Sequence, residues 1–420
     1  MAAEGDYLIV PREEVTAFAV RCLTAVGSRQ EYADTTADLL TAADYRGHFS
    51  HGLNRLEMYV DDIICGTTDK DAVPTIENET AATAWVNGNN APGPPVAKFC
   101  MDLAIRKAKE AGIAMVAVKE SNHFGIAGWY SMRACEQGLI GLAFTNSSPA
   151  IVPTRAKKPT FGTNPISMAA PAENGDSFVL DMATSTVAMG KVEIAERRGH
   201  KIPDGWGVDK EGKVTNDPTA VIKPGGLLPL GGAEETSGYK GYGLALMVEV
   251  LCGITSGAYY GPNIRKWQSQ GAQANLGQCF IAIDPNVFAP GFSGRMSDIM
   301  SICRQLQPVS KSATAPIKQF TYVTFTLYTS RKNRNGQCFI AIDPNVFAPG
   351  FSGRMSDIMS ICRQLQPATE DKPVLVAGDP ERLHMEKCDA QGGIEYHPNQ
   401  IEFLNTVADK VKVAHIKPLR

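Results

Sequence analysis

Along this 420-residue chain the hydrophobic positions follow a helical period first and then switch between helical and strand-like runs. Pro11 suits a first-turn position, and Val15, Phe18, Cys22 and Val26 then recur at helical spacing. Ser28 followed by Glu31 has the form of a capping box, opening a second helix through Ala33, Leu39, Leu40 and Ala43. A third helix is predicted from Leu53 to Ile64. Ala82 to Asn87, Ala114 to Val118, Leu139 to Phe144 and Phe178 to Leu180 read as strands, with helices around Val96 to Ala111 and Ala127 to Cys135. That alternation predicts an α/β or α+β core. Seven glycines and four prolines within Pro203 to Gly232 predict an excursion over the surface. A long helix is predicted from Gly241 to about Gly253, and a last one from Pro398 to Val413.

The pattern then repeats itself. Gly277 to Pro308 reads GQCFIAIDPNVFAPGFSGRMSDIMSICRQLQP, and Gly336 to Pro367 is identical, beginning 59 residues later. Repeat proteins carry three or more diverged copies, so two perfect copies point to a recent duplication or a gene-model error. The intervening Val309 to Asn335 is basic, rich in Ser and Thr, and lacks Asp and Glu; an edge strand around Phe320 to Phe325 is compatible with it. A single strand-plus-helix slot is expected, with one copy packed in it and the other outside the core together with the basic segment.

Composition narrows the class. Hydrophobic residues make up 44% and charged residues 20%, with a net charge of −3, so no basic face for nucleic acid is implied. No secretory signal opens the sequence, and no run approaches the ~18 apolar residues of a membrane span. A soluble, cytoplasmic protein is expected. The ten cysteines are scattered without a Cys-x-x-Cys pair, which favours reduced, buried thiols over disulfides or zinc.

Four segments carry candidate chemistry. In Ser50-His51-Gly52-x-x-Arg55, an imidazole able to exchange a proton lies four residues from a guanidinium able to grip a carboxylate; a capped surface helix explains the same spacing. Ser121-Asn122-His123-Phe124-Gly125 follows a strand at the place where α/β sheets bind ligands, and His123 is a rival acid/base or a substrate contact; a simple turn is the alternative. Asp181 ends an apolar strand ahead of Met182, Ala183, Thr184 and Ser185. It can orient a histidine, and the hydroxyls can meet a phosphate, or the segment is a plain helix cap. Gly238-Tyr239-Lys240-Gly241 precedes the long helix and suits an anion, although neither a Walker A loop nor a G-x-G-x-x-G fingerprint occurs. His48-x-x-His51 with Asp44 is too sparse for a metal site, so none is expected.

Taken in order, Ser50 to Arg55, Ser121 to Gly125, Phe161 to Pro165, Asp181 to Ser185, Tyr239 to Gly243 and Ala377 to Glu381 resemble the type-2 malate/L-lactate dehydrogenase family, which includes sulfolactate and ureidoglycolate dehydrogenases, a diketogulonate reductase and cyclic imine reductases. The resemblance implies a non-Rossmann α/β (α+β) dehydrogenase fold: a mixed-sheet domain over 73–379 and a small helical domain built from both chain ends, 1–72 and 380–420. It implies a homodimer using NAD or NADP, with NAD ahead. His51 is implied as proton donor assisted by Ser50 and Asp181, His123 as acid/base in other members, and Arg55 as the carboxylate clamp. Cofactor contacts are implied at Thr145, Asn146 and Ser147, at Met182 to Ser185, at Lys240 and Gly241, and at Gly378 and Asp379. The implied reaction interconverts a small 2-hydroxy acid, malate or lactate in type, with its 2-keto acid. Reduction of a cyclic imine or diketo acid is the alternative, and a silent remnant disabled by the duplication is the alternative of another class.

Overall fold

The structure, a computed structural model, describes residues 10–266, 271–305, 338, 340–368 and 373–376, together with 379, 383, 386, 387 and 390. By its internal contacts the chain divides into one unit over Met1–Val374 and another over Leu375–Arg420. Within the second, the Asp379 carboxylate accepts the Val376 N–H at 3.0 Å. Gly378 and the helix expected at 398–413 lie outside the described residues, as does the segment 309–335.

Three helices open the first unit: α1 (Arg12–Ala25), α2 (Gln30–Tyr45) and α3 (Leu56–Ile64). Their apolar stripes meet around Ala19, Leu23, Ala33, Ala37, Leu40 and Tyr59. The expected capping box does not form. Helix α2 begins at Gln30 after Arg29, without a side-chain cap, and the Ser28 hydroxyl turns to the Arg29 carbonyl.

Next come β1 (Thr75–Glu79), β2 (Thr83–Asn87), α4 (Gly93–Ala111), β3 (Ile113–Ser121), α5 (Gly128–Cys135), β4 (Ile140–Thr145), β5 (Ile166–Pro171) and β6 (Ser177–Met182). Helix α4 starts on Pro94 and Pro95 and stops at Gly112, whose φ of 81° takes the left-handed conformation that costs glycine least. Strands β1 and β5 escaped the sequence pattern. Strand β1 is exposed at every residue, so its alternation has no core face to report.

After β6 the chain forms α6 (Met189–Arg197) and the predicted excursion, which is only partly on the surface. It holds a three-stranded sheet of β7 (Gly207–Val208), β8 (Val214–Thr215) and β9 (Gly226–Leu227), with α7 (Pro218–Ile222). Val221 and Leu227 are fully buried with Val192, so this segment has its own small core. The long helix, α8 (Gly238–Glu249), starts three residues earlier than expected and widens into a π turn over Val250–Ile254.

Strand β10 (Leu276–Ile283), from the first copy of the repeat, lies at the centre of a seven-stranded mixed sheet of order β1-β2-β3-β10-β4-β5-β6. Only β2 and β3 pair in parallel. Phe280 and Ala282 face α4 and α5, while Cys279 and Ile281 face α8 and its π turn. Both faces are covered, so the strand reads as an unbroken apolar run.

The two copies do not divide as expected. Helix α9 (Phe292–Gln305), from the first copy, lies along β5 and β6, tied by an Arg304–Asp176 pair at 2.5 Å, with Met300 its one buried residue. The second copy forms no strand at 340–343, where Ile340 is 60% exposed. Its turn and helix α10 (Phe351–Arg363) are nonetheless anchored: Phe347, Ile358 and Cys362 are buried, and Arg354 Nε donates to the Ile254 carbonyl at 2.7 Å. Each copy therefore supplies a different part of the core.

Candidate functional site

The segment carrying His51 and Arg55 is pinned from below. Asp44, at the end of α2, accepts the Leu53 N–H at 2.9 Å, and a Cβ on Gly52 would overlap that carboxylate. A short 3-10 turn over Leu53–Arg55 leads into α3, so His51 sits in the turn before the helix and does not share a helix face with Arg55. Ser50 Oγ lies 2.8 Å from His51 Nδ1, as expected of a residue that holds the ring. Arg55 is buried near Glu193 of α6, whose charge partly offsets the burial that lowers its pKa.

His123 follows β3. Gly125, at φ 76°, allows the sharp turn after it, and Gly93 lets the start of α4 approach the backbone of Asn122 and His123 closely. The His51 and His123 rings stack, with centroids 5.8 Å apart and planes 20° apart. The hydroxyl of Tyr59, on α3, lies 2.8 Å from His123 Nδ1, which also accepts the Gly125 N–H at 3.4 Å. A backbone N–H can only donate, so this network assigns Nδ1 as the acceptor and Nε2 as the protonated nitrogen of the neutral ring. Burial, then the neighbouring positive charge of Arg55, pushes His51 down to about 4. His123 lies well below the ordinary range, chiefly from burial. Both imidazoles are neutral at pH 7, and burial makes each a weaker base than a free imidazole.

A cleft of about 300 Å³ opens where the ends of β3 and β4 meet the start of β10. Arg55, His123, Ser147 and Ser148 line it, together with Arg265 and Asp62. The last two form a bidentate ion pair at 2.6 and 3.0 Å. Asp181 does not bond His51. Its carboxylate accepts the Gly128 N–H at 2.8 Å, capping α5, the helix that follows the His123 loop, and burial lifts it to about 6. The Asp181 carboxylate therefore buttresses the His123 loop.

Of the expected cofactor segments, those around Asn146 and Thr184 reach α8, the second through Leu230. Gly241 packs against Leu230, whose N–H binds the Thr184 carbonyl. Asn164 bonds Ala245 and Glu249, and Asn146 bonds Glu249. The hydroxyls of Thr145, Thr184 and Ser185 are turned to backbone carbonyls and hold the ridge together, so a ligand here meets backbone and other side chains. Met182 and Ala183, half-buried, complete that ridge. Lys240 stands exposed in the first turn of α8, where its charge adds to the helix dipole, and Ser147 and Ser148 reach the cleft. A cation at a helix start is the kind of group that meets a phosphate.

Sequence reasoning missed Tyr59, Glu249 and the Asp62–Arg265 pair, and weighed Asp44 only as a metal ligand, not as the anchor of the turn before Arg55. Tyr59 lies four residues beyond Arg55, a spacing that would have placed both on one helix face. Arg265 meets Asp62 across 203 positions, which no local pattern signals.

A mixed sheet carrying two stacked neutral histidines beside a buried arginine, with a cationic helix start, defines an anion-recognising α/β enzyme centre. The chain belongs to the malate/L-lactate dehydrogenase family, whose model matches residues 10–318 and 313–405. It is 42% identical over 301 residues to the malate dehydrogenase of Pyrococcus abyssi (strain GE5 / Orsay), covering 71% of this chain and 82% of that protein. It is 35% identical over 302 residues to the ureidoglycolate dehydrogenase (NAD(+)) of Escherichia coli (strain K12), covering 71% and 84%. The structure of malate dehydrogenase from Pyrococcus horikoshii OT3 superposes with a TM-score of 0.63 at 31% identity, covering 99% of both chains. The fold is thus the family's mixed α/β dehydrogenase fold.

Proposed function

We propose that this protein is an NAD-dependent oxidoreductase acting on the CH–OH group of a small 2-hydroxy acid and, in reverse, on the matching 2-keto acid. The observation that carries the reading is the cleft in which Arg55 and a neutral His123 meet, with His51 stacked on that ring. Family membership supports the reaction class, and the name of the ureidoglycolate relative supports NAD.

Arg55 takes the substrate carboxylate through parallel hydrogen bonds, fixing the adjacent carbon over the cleft. The nicotinamide nucleotide, when bound, takes or supplies the hydride. His123 lines the cleft, so of the two histidines it is the one placed to exchange the proton of the substrate oxygen, with Tyr59 orienting it through Nδ1. His51, held by Ser50, lies behind it as the second proton acceptor. In oxidation the only lone pair of the neutral ring is at Nδ1, so the hydroxyl proton reaches it through Tyr59, whose O–H passes its own proton to Nδ1 as it takes the substrate's. In reduction a bound carboxylate offsets the field of Arg55 and raises the depressed histidine pKa values, which favours the protonated donor. Thr145 to Ser147, Met182 to Ser185, Lys240 and Gly241, with Gly378 and Asp379, are the residues proposed to hold the nucleotide.

Free cysteines throughout the described residues fit a cytoplasmic setting, and no described helix is long and apolar enough to cross a membrane. A homodimer and a helical domain joining 1–72 to 380–420 belong to the same reading. The test follows NADH and NADPH oxidation against 2-keto acids and cyclic imines, with separate His51→Ala and His123→Ala variants. Turnover of cyclic imines alone, or of nothing by a folded protein, overturns the proposal. A larger kcat loss in His51→Ala than in His123→Ala reverses the histidine roles.

A further inference from the structure

Glu249 ends α8, fully buried, where the helix widens into its π turn. The Glu249 carboxylate accepts Asn164 Nδ2 at 2.9 Å, Asn146 Nδ2 at 3.1 Å and the Gly261 N–H. Each amide is bonded onward. Asn146 accepts the Gly277 N–H of β10 at 3.0 Å and donates to the Tyr259 carbonyl at 2.8 Å. Asn164 accepts the Ser147 N–H at 3.1 Å and donates to the Ala245 carbonyl at 3.1 Å. The loop bearing Ser147 and Ser148, which line the cleft with Arg55 and His123, therefore hangs from one carboxylate through two asparagines.

We propose that Glu249 is a positioning residue for the reaction inferred above: its carboxylate, through Asn146 and Asn164, holds the Ser147–Ser148 loop in the shape that receives the nicotinamide nucleotide. The assignment rests on that functional reading. All three partners are donors, so they favour the ionised carboxylate; a proton on either oxygen takes up acceptor capacity that these N–H groups use and weakens the set. Burial lifts the group to about 7, so that exchange falls in the neutral range. The titratable groups facing it are the thiols of Cys252 in the π turn and Cys362 of α10, with Tyr242 hydrogen-bonded to Cys362, and burial keeps both thiols protonated. Among the described residues no ion pair reaches the carboxylate, and its N–H donors alone oppose the effect of burial.

The experiment measures the NADH dissociation constant by fluorescence titration, and KM and kcat, from pH 6 to 8.5 for wild type and Glu249→Gln. The wild type is expected to bind NADH about tenfold more weakly at pH 6 than at 8.5, a change worth ~1.4 kcal/mol. Glu249→Gln is expected to bind about tenfold more weakly at pH 8.5, to lose the break near 7, and to raise KM far more than it lowers kcat. Asp181, which titrates near 6, is intact in the variant, so loss of the break assigns it to Glu249. An unchanged dissociation constant and pH profile in a folded Glu249→Gln overturns the proposal. Should that variant fail to fold, a flat wild-type profile overturns it alone. A wild type that binds no nucleotide at any pH overturns the functional reading, and this assignment with it.

Discussion

The duplication makes a controlled comparison inside one chain, because identical residues occupy different surroundings. Ile281 in β10 is 7% exposed, and its twin Ile340 is 60% exposed. For the turn the order reverses: Phe288 of the first copy is 66% exposed, and Phe347 of the second is 2%. Local propensity, neighbouring sequence and intrinsic hydrophobicity are equal within each pair, so any difference on truncation to Ala is tertiary. Burial of this completeness sets Ile281→Ala at roughly 2–5 kcal/mol and Phe347→Ala at about 3–5 kcal/mol, from lost transfer energy plus the cavity left behind. Ile340→Ala and Phe288→Ala should each cost less than about 1 kcal/mol, as surface substitutions do. Urea unfolding followed by fluorescence and circular dichroism, with a common slope, reads all four. The expected outcome is a crossed pattern, with the strand of the first copy and the turn of the second both sensitive. Equal costs within either pair would refute the reasoning. So would a negligible cost for Ile281→Ala, because the second copy would then be filling the sheet in its place.

Gly52→Ala forces a Cβ into the Asp44 carboxylate and breaks the bond that pins the turn before Arg55; we expect loss of ~1–3 kcal/mol of stability and a raised KM for the acid, read by melting and steady-state kinetics. Tyr59→Phe removes the 2.8 Å partner of His123 and leaves the ring packed; kcat should fall about tenfold or more with KM for the acid little changed, since Arg55 is untouched. His51 stays neutral in the folded chain down to about pH 4, whereas in the unfolded chain it protonates near 6.5. The unfolded state then binds more protons, so this residue makes stability fall with pH between 6.5 and 4. Relative to wild type, His51→Gln should therefore gain up to about 3 kcal/mol across that window, while the opposing contributions of Asp181 and Glu249, raised to about 6 and 7, cancel in the difference.

Much of the candidate site could be read in advance because its segments are local. Ser50 holding His51, the His123 turn with Gly125, and the Lys240–Gly241 helix start depend on neighbours a few residues apart. Asp181 was legible as a buried carboxylate needing a donor, but not as the cap of α5, because its partner lies 53 residues away and becomes adjacent only through the sheet. Tyr59 falls within the helix predicted from Leu53 to Ile64, with nothing in the sequence but its spacing from Arg55 to single it out. Its hydroxyl acquires a role only because the loop after β3 arrives beside it, 64 positions on.

The repeat marks that boundary most sharply. Asp284-Pro285-Asn286 and Asp343-Pro344-Asn345 form the same turn, each aspartate accepting the N–H two residues on at 2.8 and 2.9 Å, and each copy continues into a helix beginning at its third phenylalanine, Phe292 or Phe351. Those features, the helix start included, follow from backbone sterics and short-range hydrogen bonds, which the sequence alone determines. It could not determine which copy would enter the core. The same letters become a central strand where β3 and β4 offer backbone partners on both sides, and exposed chain where no strand pairs with them. The second phenylalanine, Phe288 or Phe347, is surface in one copy and core in the other. Burial and long-range pairing depend on what the rest of the chain leaves open, and for this protein only the tertiary structure decided that.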